Sequence, residues 1–470
     1  MSNENKTLRG AEAYKANPAY KPFMESLEDS PLAKVRTISN FDYLNLGRQF
    51  KQFENYKKYV SEIGTLKDLG QLPKYAYDVI TANYAASIIP LLASVQPIKG
   101  QQGLVYFKQI KSQTTRGNVN SGDILRNAVA SPDKQAVGFA GENVSQALGT
   151  LSAGDQTYQF NLSPAPVRER TVKITLSTFS GNQAIQDDGA GNLYSVGGAY
   201  GYGTIDYSTG LVDLTFVPVI GGTEVAHATF GTEYESNGAL PTVQSAFDSM
   251  DVKAEVFAVR SEMGMLKAFE MKQTFGKEAE SEMIADLTQE INAELGNTLI
   301  SRIAGAKFGA DITWDATAPT GVSEKEHKLA FTNRIAEASS RIAANAGRGE
   351  VSAIIAGVKA CALFDQLGGQ FERTGYASSG PTLYGMLNKT IPVIRSVGGI
   401  IDDSAVYCVY RGSGQFDAPA VYAPYMPLVV NGSLPVLNNV LKTQAFALVW
   451  SGMKVVVNRF ITKIQVTGLV

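Results

Sequence analysis

Residues 251–305 constrain the fold more than any other part of the chain. From Val252 to Ala258 apolar residues alternate with Lys253 and Glu255, the period-two pattern of a half-buried strand. Met263 and Met265 then fall on the face opposite Val256, which predicts a bulge or a change of surface near Arg260. After Gly276 the period changes. Ile284, Leu287, Ile291, Leu295, Leu299 and Ile303 recur every three or four residues. They draw one apolar stripe along a helix of roughly 40 Å, at about 1.5 Å per residue. Glu278, Glu280 and Glu282 crowd its start, where the helix dipole favours negative charge. None of these residues brings chemistry. The stretch is a structural spine.

A chain of 470 residues exceeds one ordinary core and predicts about two to four substructures. Its formal net charge of −2 argues against a dedicated nucleic-acid binder. Cys361 and Cys408 sit in apolar runs without metal-like spacing, which reads as buried free thiols in a reducing compartment. The start, MSNENKTLRG, holds no apolar signal core. No segment approaches the ~20 apolar residues that span a bilayer, so a soluble protein made in the cytoplasm is expected.

Residues 1–75 read as an N-terminal arm. The first forty are polar and broken by Pro18, Pro22 and Pro31, too poor in apolar pairs to bury a core of their own. Phe50, Phe53, Tyr56 and Val60 then share one side of a lysine-rich helix that must dock, either on its own body or on a sister subunit. A helix over 77–89 is stopped by Pro90, and a strand follows around Leu104–Ile110. Residues 111–250 read as an extended loop whose first part carries Lys111, Arg116, Arg126 and Lys134. Within it, 150–235 holds short β runs at regular intervals. The hairpin signal is clearest at Asp206–Gly210, where the glycine can adopt the left-handed conformation. This part predicts a small antiparallel sandwich or barrel. Between Ile174 and Val252 there is no Lys or Arg against nine Asp and Glu, so the module should face away from any polyanion.

Beyond the spine, Phe331, Ile335, Ala338 and Ile342 line one face of a helix ending at Gly347. Residues 346–440 then alternate strand and helix as an α/β unit. Its polar loop, 368–380, carries Phe371 and Arg373 and is long enough to be an interaction loop. The tail, 441–470, is β-rich and is expected to return beside the strand before the spine.

Chemical apparatus is missing from these patterns. His227 and His327 are far apart in sequence and lack neighbours at metal-ligand spacing. The glycines at 197–203 lack the lysine and helix of a phosphate loop. Asp187-Asp188-Gly189 lacks the bidentate glutamate of a calcium loop, and Asp402-Asp403 reads as a polar turn. No catalytic, cofactor-binding or metal-ligating residue is assigned, and an enzyme is not expected.

The order of arm, helix, loop, long strand, long helix, α/β unit and returning strands resembles the major capsid proteins of tailed phages. These have the α+β Hong Kong 97-type fold, and the nearest likeness is to the T-even myovirus branch. Two segments carry it: Tyr77-Asp78-Val79-Ile80 through Ile88-Ile89-Pro90-Leu91 and Ser94-Val95-Gln96-Pro97, and Ala279-Glu280-Ser281-Glu282 to Thr288-Gln289-Glu290-Ile291-Asn292. The resemblance implies a peripheral domain over 76–110 and 251–345, with the spine helix at about 277–304. It also implies an axial domain over 346–440 and a β insertion in the extended loop. It implies a shell of hexameric capsomers enclosing double-stranded DNA that is touched non-specifically, assembled in a bacterial host. Possible partners are a paralogous vertex protein, scaffold, portal and decoration proteins; no cofactor and no membrane are involved. Phe50, Phe53, Tyr56, Lys111, Arg116, Arg126, Phe371 and Arg373 are the candidate intersubunit contacts, and deleting 2–60 should then impair assembly alone. In T-even relatives a prohead protease cuts after a glutamate two positions beyond an apolar residue, and Val60-Ser61-Glu62 fits this loosely. Two alternatives remain at this level: an encapsulin-like compartment shell, and a surface or carbohydrate-binding protein built on the β module.

Overall fold

The computed structural model describes residues 3–62, 76–116, 119–127, 139, 141, 143–152, 156–176, 184–195, 201–217, 224–233, 240–276, 278–375, 380–412, 414–436 and 439–469. The chain is α+β and divides into two compact units, 1–107 with 248–470, and 108–247.

The first unit is built on the helix Ala279–Gly305. Met283, Leu287, Ile291, Leu295, Leu299, Ile300 and Ile303 are buried along one face, while Glu280 and Glu282 occupy the first turn. The stripe joins one core with Leu428, Val429, Val430, Ala445, Ala447 and Val449. These belong to two long strands, Ala420–Val436 and Asn439–Val455, in a four-stranded sheet completed by Ala93–Val95 and Glu255–Gly264. Burying a large aliphatic side chain is worth about 1.5–3 kcal/mol, so this one contact outweighs any single polar interaction in the unit. Gly296 lets the helix approach closely: a Cβ there would lie 3.3 Å from Pro381 and 3.4 Å from Ile88.

The tail strand 439–455 does return beside the strand before the spine, pairing from Glu255↔Ser451 to Gly264↔Lys442. That register is unbroken, so the slip expected at Arg260 is absent. The irregularity lies earlier, where Ala254 separates Val243–Lys253 from Glu255–Gly264 and its N–H turns to the Gln101 carbonyl at 2.8 Å. Between strand and spine the chain also forms a helix that the apolar spacing does not announce, Met265–Phe275. It buries no side chain and ends on Gly276 at φ 65°.

A second sheet of seven strands runs in the order Ile312–Asp315, Ile461–Thr467, Ala405–Val409, Ala353–Ala356, Ile391–Arg395, Thr382–Leu387, Phe371–Arg373. The helices Phe331–Ala346 and Val358–Asp365 accompany it. The α/β unit read over 346–440 is therefore smaller: strand 420–436 leaves it for the spine's sheet, and strand 461–467 enters it from the tail. The difference is physical, because the sequences of strands 420–436 and 461–467 announce strands in either case and period alone cannot tell which buried sheet they join.

The expected arm is corrected most. Residues 3–62 are helical, as Asn3–Ala16, Lys21–Glu28, Pro31–Val35 and Asn40–Glu62, and they pack on the chain's own body. Tyr20, Met24, Leu27, Leu32, Leu46, Phe50 and Phe53 are buried in the spine's core. Tyr77 forms the centre of this packing, with ring centroids 5.0 Å from Phe50, 5.4 Å from Phe23, 5.6 Å from Phe53 and 5.9 Å from Tyr20. The helix read over 77–89 is two helices, Ala76–Ala86 and Ile89–Leu92, with Pro90 in the first turn of the second, where its missing N–H costs nothing.

Asp42 pins the segment. Its carboxylate accepts hydrogen bonds from Arg36 Nη2 at 2.7 Å and Nη1 at 2.9 Å, Ser39 N–H and Oγ at 2.8 Å each, and Tyr84 Oη at 2.8 Å. Burial alone would raise the Asp42 carboxyl, but the hydrogen bonds and charge of Arg36, with those of Ser39, outweigh it and hold the group below the usual carboxylate range.

The second unit is an eight-stranded antiparallel sheet: Asn143–Leu151, Glu224–Gly231, Lys173–Leu176, Ile185–Asp187, Asn192–Ser195, Gly201–Asp206, Leu211–Phe216, Thr157–Asn161. Alternate residues such as Val212, Leu214, Phe216, Ala226, Ala228 and Phe230 fill its core. Gln146 links the two outer strands, donating Nε2 to the Asn161 carbonyl at 3.0 Å and accepting from Ser163 N–H at 2.9 Å. The hairpin at Asp206–Gly210 forms as read, with Gly210 at φ 77° and its N–H on the Asp206 carbonyl at 2.8 Å. The module starts at 143 rather than 150, and it includes Arg168, Arg170 and Lys173. It is not cation-free.

Three outcomes are expected. Ile291→Asp places a charge with no partner in the stripe, costing several kcal/mol; the subunit should be recovered insoluble, and soluble folded protein by circular dichroism would contradict the packing. Asp42→Asn leaves Arg36 without its counter-charge and should cost about 3 kcal/mol in urea unfolding at pH 7. Because the folded Asp42 value is depressed, its contribution is present above the unfolded value of about 3.9 and lost as pH falls through the folded one. The wild-type unfolding midpoint should therefore drop more steeply than the variant's on acidification below pH 4. Deleting residues 2–60 removes Phe50 and Phe53 from the core, so thermal melting should show a destabilised subunit rather than an assembly defect alone.

Candidate interaction surfaces

Among the described residues no group of His, Cys, Asp and Glu side chains is arranged to hold a metal ion, and no helix is long and apolar enough to cross a membrane. His327 Nε2 lies 2.8 Å from the Asp315 carbonyl, and its ring stacks on Trp314 at 5.0 Å. Asp187 accepts from Val172 N–H at 2.9 Å and Tyr207 Oη at 2.9 Å. Asp402 accepts from Ser404 N–H at 3.1 Å and Gln465 Nε2 at 2.9 Å. Burial pushes the Cys361 and Cys408 thiols up to about 12, so neither is a thiolate at neutral pH. His327, Asp187 and Asp402 each have a local structural partner.

The proposed contact residues divide sharply. Phe50 and Phe53 are core residues of their own subunit, so the aromatic stripe has docked in cis; Tyr56 packs at the edge of the same core. Arg116 is buried, with Nη2 on Thr232 Oγ1 at 2.9 Å and on the Gly141 carbonyl at 2.5 Å, and is no surface cation. Phe371 is buried between Phe364 and Tyr384, at 5.8 and 5.6 Å, because the loop read over 368–380 contains the strand Phe371–Arg373. Arg373 stays exposed, paired with Asp365 and lying 5.1 Å from the Tyr384 ring. Lys111 is half-buried in the strand Gln102–Ser112. Arg126 lies opposite Ile110, and its side chain is outside the described set. Glu62 ends the helix 40–62; its side chain and residues 63–75 also lie outside the described residues. Lys134 and the tip of the 197–203 glycine run lie outside them as well.

Two surfaces were not legible as sites in the sequence. A groove of about 1360 Å³ lies between helix 40–62 and the face of the four-stranded sheet turned away from the spine. Its floor is apolar: Val256 is 55% exposed, beside Leu448 and Trp450. Trp450 is held upright by Nε1 donating to the Ala254 carbonyl at 3.2 Å and by an edge contact with Tyr425 at 5.0 Å. The rim carries Arg48, Lys51 and Lys99, and no Asp or Glu lines the groove among the described residues. Glu255–Gly264, which supplies Val256, is the edge strand of its sheet.

The other surface is the strand Val243–Lys253, itself the edge of a ribbon with Gln102–Ser112 and Ile124–Asn127. Residues 243–245 are exposed on both faces, with Leu240 and Val243 at 63% and 56%.

A family model described as major capsid protein Gp23 matches residues 70–465. No curated protein matches the sequence significantly. Among solved structures the chain is similar to the capsid of the jumbo bacteriophage PhiKZ, at 10% identity and a TM-score of 0.37, covering 85% of this chain and 93% of that one. It is similar to a chain of Mycobacterium phage Bobi at 12% identity and 0.32, covering 68% and 89%. It is also similar to a virus-like particle from Pyrococcus furiosus at 8% identity and 0.30, covering 47% and 80%. The family match spans most of the chain, and the protein therefore belongs to the Gp23 major capsid protein family: it is a subunit of a tailed phage's head shell, in a family of structural proteins and not of enzymes.

Proposed function

We propose that this subunit has the Hong Kong 97-type arrangement and forms hexameric capsomers that close into the head around packaged DNA. The observation that carries the reading is the family match over 70–465, which contains the spine helix and both sheets of the first unit. On this reading the four-stranded sheet with its spine is the peripheral part. The seven-stranded sheet is the axial part, and the 108–247 unit is the extended loop with its insertion. DNA is contacted without sequence preference, as the near-neutral charge of −2 supports. Scaffold, portal, decoration and a vertex paralogue are the partners to be sought, and assembly takes place in the bacterial cytoplasm.

Trimming after Glu62 belongs to the same proposal with one physical condition. Leu46, Phe50 and Phe53 are buried core residues, so a cut there would sever residues 1–62 without releasing them until the core opened. Purified protein examined by electron microscopy and sedimentation, alone and with scaffold, should show capsomers or megadalton shells. Dispersed monomers under every condition would overturn the reading.

A further inference from the structure

We propose that one water molecule bridges the side-chain amides of Asn83 and Asn292 beneath helix 40–62, and that this wet joint is where the N-terminal helices first part from the spine. The joint lies within a single subunit and needs no neighbouring copy.

Three parts of the chain meet at a small cavity: Gln49 from helix 40–62, Asn83 and Ser87 at the end of helix 76–86, and Asn292 from the spine. The amide oxygens of Asn83 and Asn292 are both buried and, among the described residues, meet no donor. A buried acceptor left without a donor costs more than a typical hydrogen bond contributes, so two of them on one cavity require a ligand that donates twice. Ser87 Oγ accepts from Ile89 N–H at 3.1 Å, which leaves its own proton to donate, and the Gln49 amide is a further donor on the same wall. Two acceptors and two donors suit a buried water, which makes about two to four hydrogen bonds. The space open to a water centre is about 20 Å³, and one water needs roughly 10–15 Å³. No charged residue lines the cavity among the described residues, so nothing there recognises an ion.

The water matters because of what flanks it. Tyr84, on the cavity wall, donates to Asp42 at 2.8 Å, while Leu46, Phe50 and Phe53 of the same helix are buried in the apolar core. Lifting the helix on its apolar side exposes area, and the opposing free energy grows with that area. Parting on the side of Gln49 only exchanges a held water for bulk water and returns its entropy of immobilisation. Regions with few buried apolar contacts open at the lowest free energy. The helix therefore rolls open at Gln49 while Leu46 and Phe50 are still packed.

The test uses the full-length chain. A density map fine enough to show buried waters elsewhere in the core should show one peak within about 2.7–3.2 Å of both amide oxygens. No peak, a direct amide-to-amide hydrogen bond, or a peak ringed by about six oxygens, which marks a cation, would overturn the inference. In urea unfolding, Asn83→Ala and Asn292→Ala remove partners of one shared ligand, so the double variant should shift the midpoint by less than the sum of the two single shifts. Additive shifts would count against the bridge. The thiol introduced by Gln49→Cys should react with a thiol reagent about tenfold or more faster than the one introduced by Leu46→Cys, a gap of roughly 1.4 kcal/mol. The buried Cys361 and Cys408 are the slow internal reference. Equal rates at the two introduced thiols would mean that the helix leaves as one block, and the joint as the first line of parting would be refuted.

Discussion

Everything in the first unit depends on burial of the 279–305 stripe against strands 420–436 and 439–455. The strands are long and carry small or branched residues, Ala445, Ala447, Val429 and Val430, at the contact. The helix can therefore lie close, and Gly296 brings its backbone against Ile88 and Pro381. Burial of this kind is non-directional and proportional to area, so direction must come from elsewhere. Arg302 supplies some of it, donating to the Met453 carbonyl and pairing with Glu255 at 2.9 Å. Near its C-terminal end the helix is thereby tied to both strands that flank the groove floor.

The N-terminal helices extend the same core rather than forming another. Their aromatic cluster supplies area, and Asp42 supplies specificity, since a buried carboxylate with five hydrogen bonds accepts one geometry only. Burial of an ion pair contributes little net stability against a hydrophobic alternative, but breaking one costs much. The segment is accordingly held in a single place, which gives helix 40–62 the rigidity needed to form one wall of a groove.

The spine was legible because one helix face must bury a stripe every three or four residues, and Leu287, Ile291, Leu295 and Leu299 keep that period without a break. The hairpin at 206–210 was legible because a left-handed position selects glycine. The helical N-terminus was not, since Tyr20, Met24, Leu27 and Leu32 are spaced among prolines and find their partners only on a helix that comes later. Phe371 and Arg116 misled for a related reason. A residue in a polar, glycine-rich stretch reads as exposed, yet a three-residue strand and a buried bridge to Thr232 place both inside. The groove could not have been read at all, because its floor and rim come from positions 48–51, 99, 256 and 448–450, which only the tertiary fold brings together.

A shell subunit must stay soluble before assembly and hold firmly after it, which limits the apolar surface any one patch can expose. The exposed apolar residues here are distributed accordingly. Val256 sits in a recess under a cationic rim, Val243 lies on a strand rich in serine and aspartate, and Leu266 and Phe269 on the helix 265–275 are flanked by Lys267, Glu270 and Lys272. Each patch has polar groups beside it, which penalise non-matching partners. Weak contacts of this kind become durable once a subunit makes several at the same time, because the later ones form at high effective concentration. The placement of charge around apolar residues, rather than their number, is then what separates ordered assembly from aggregation.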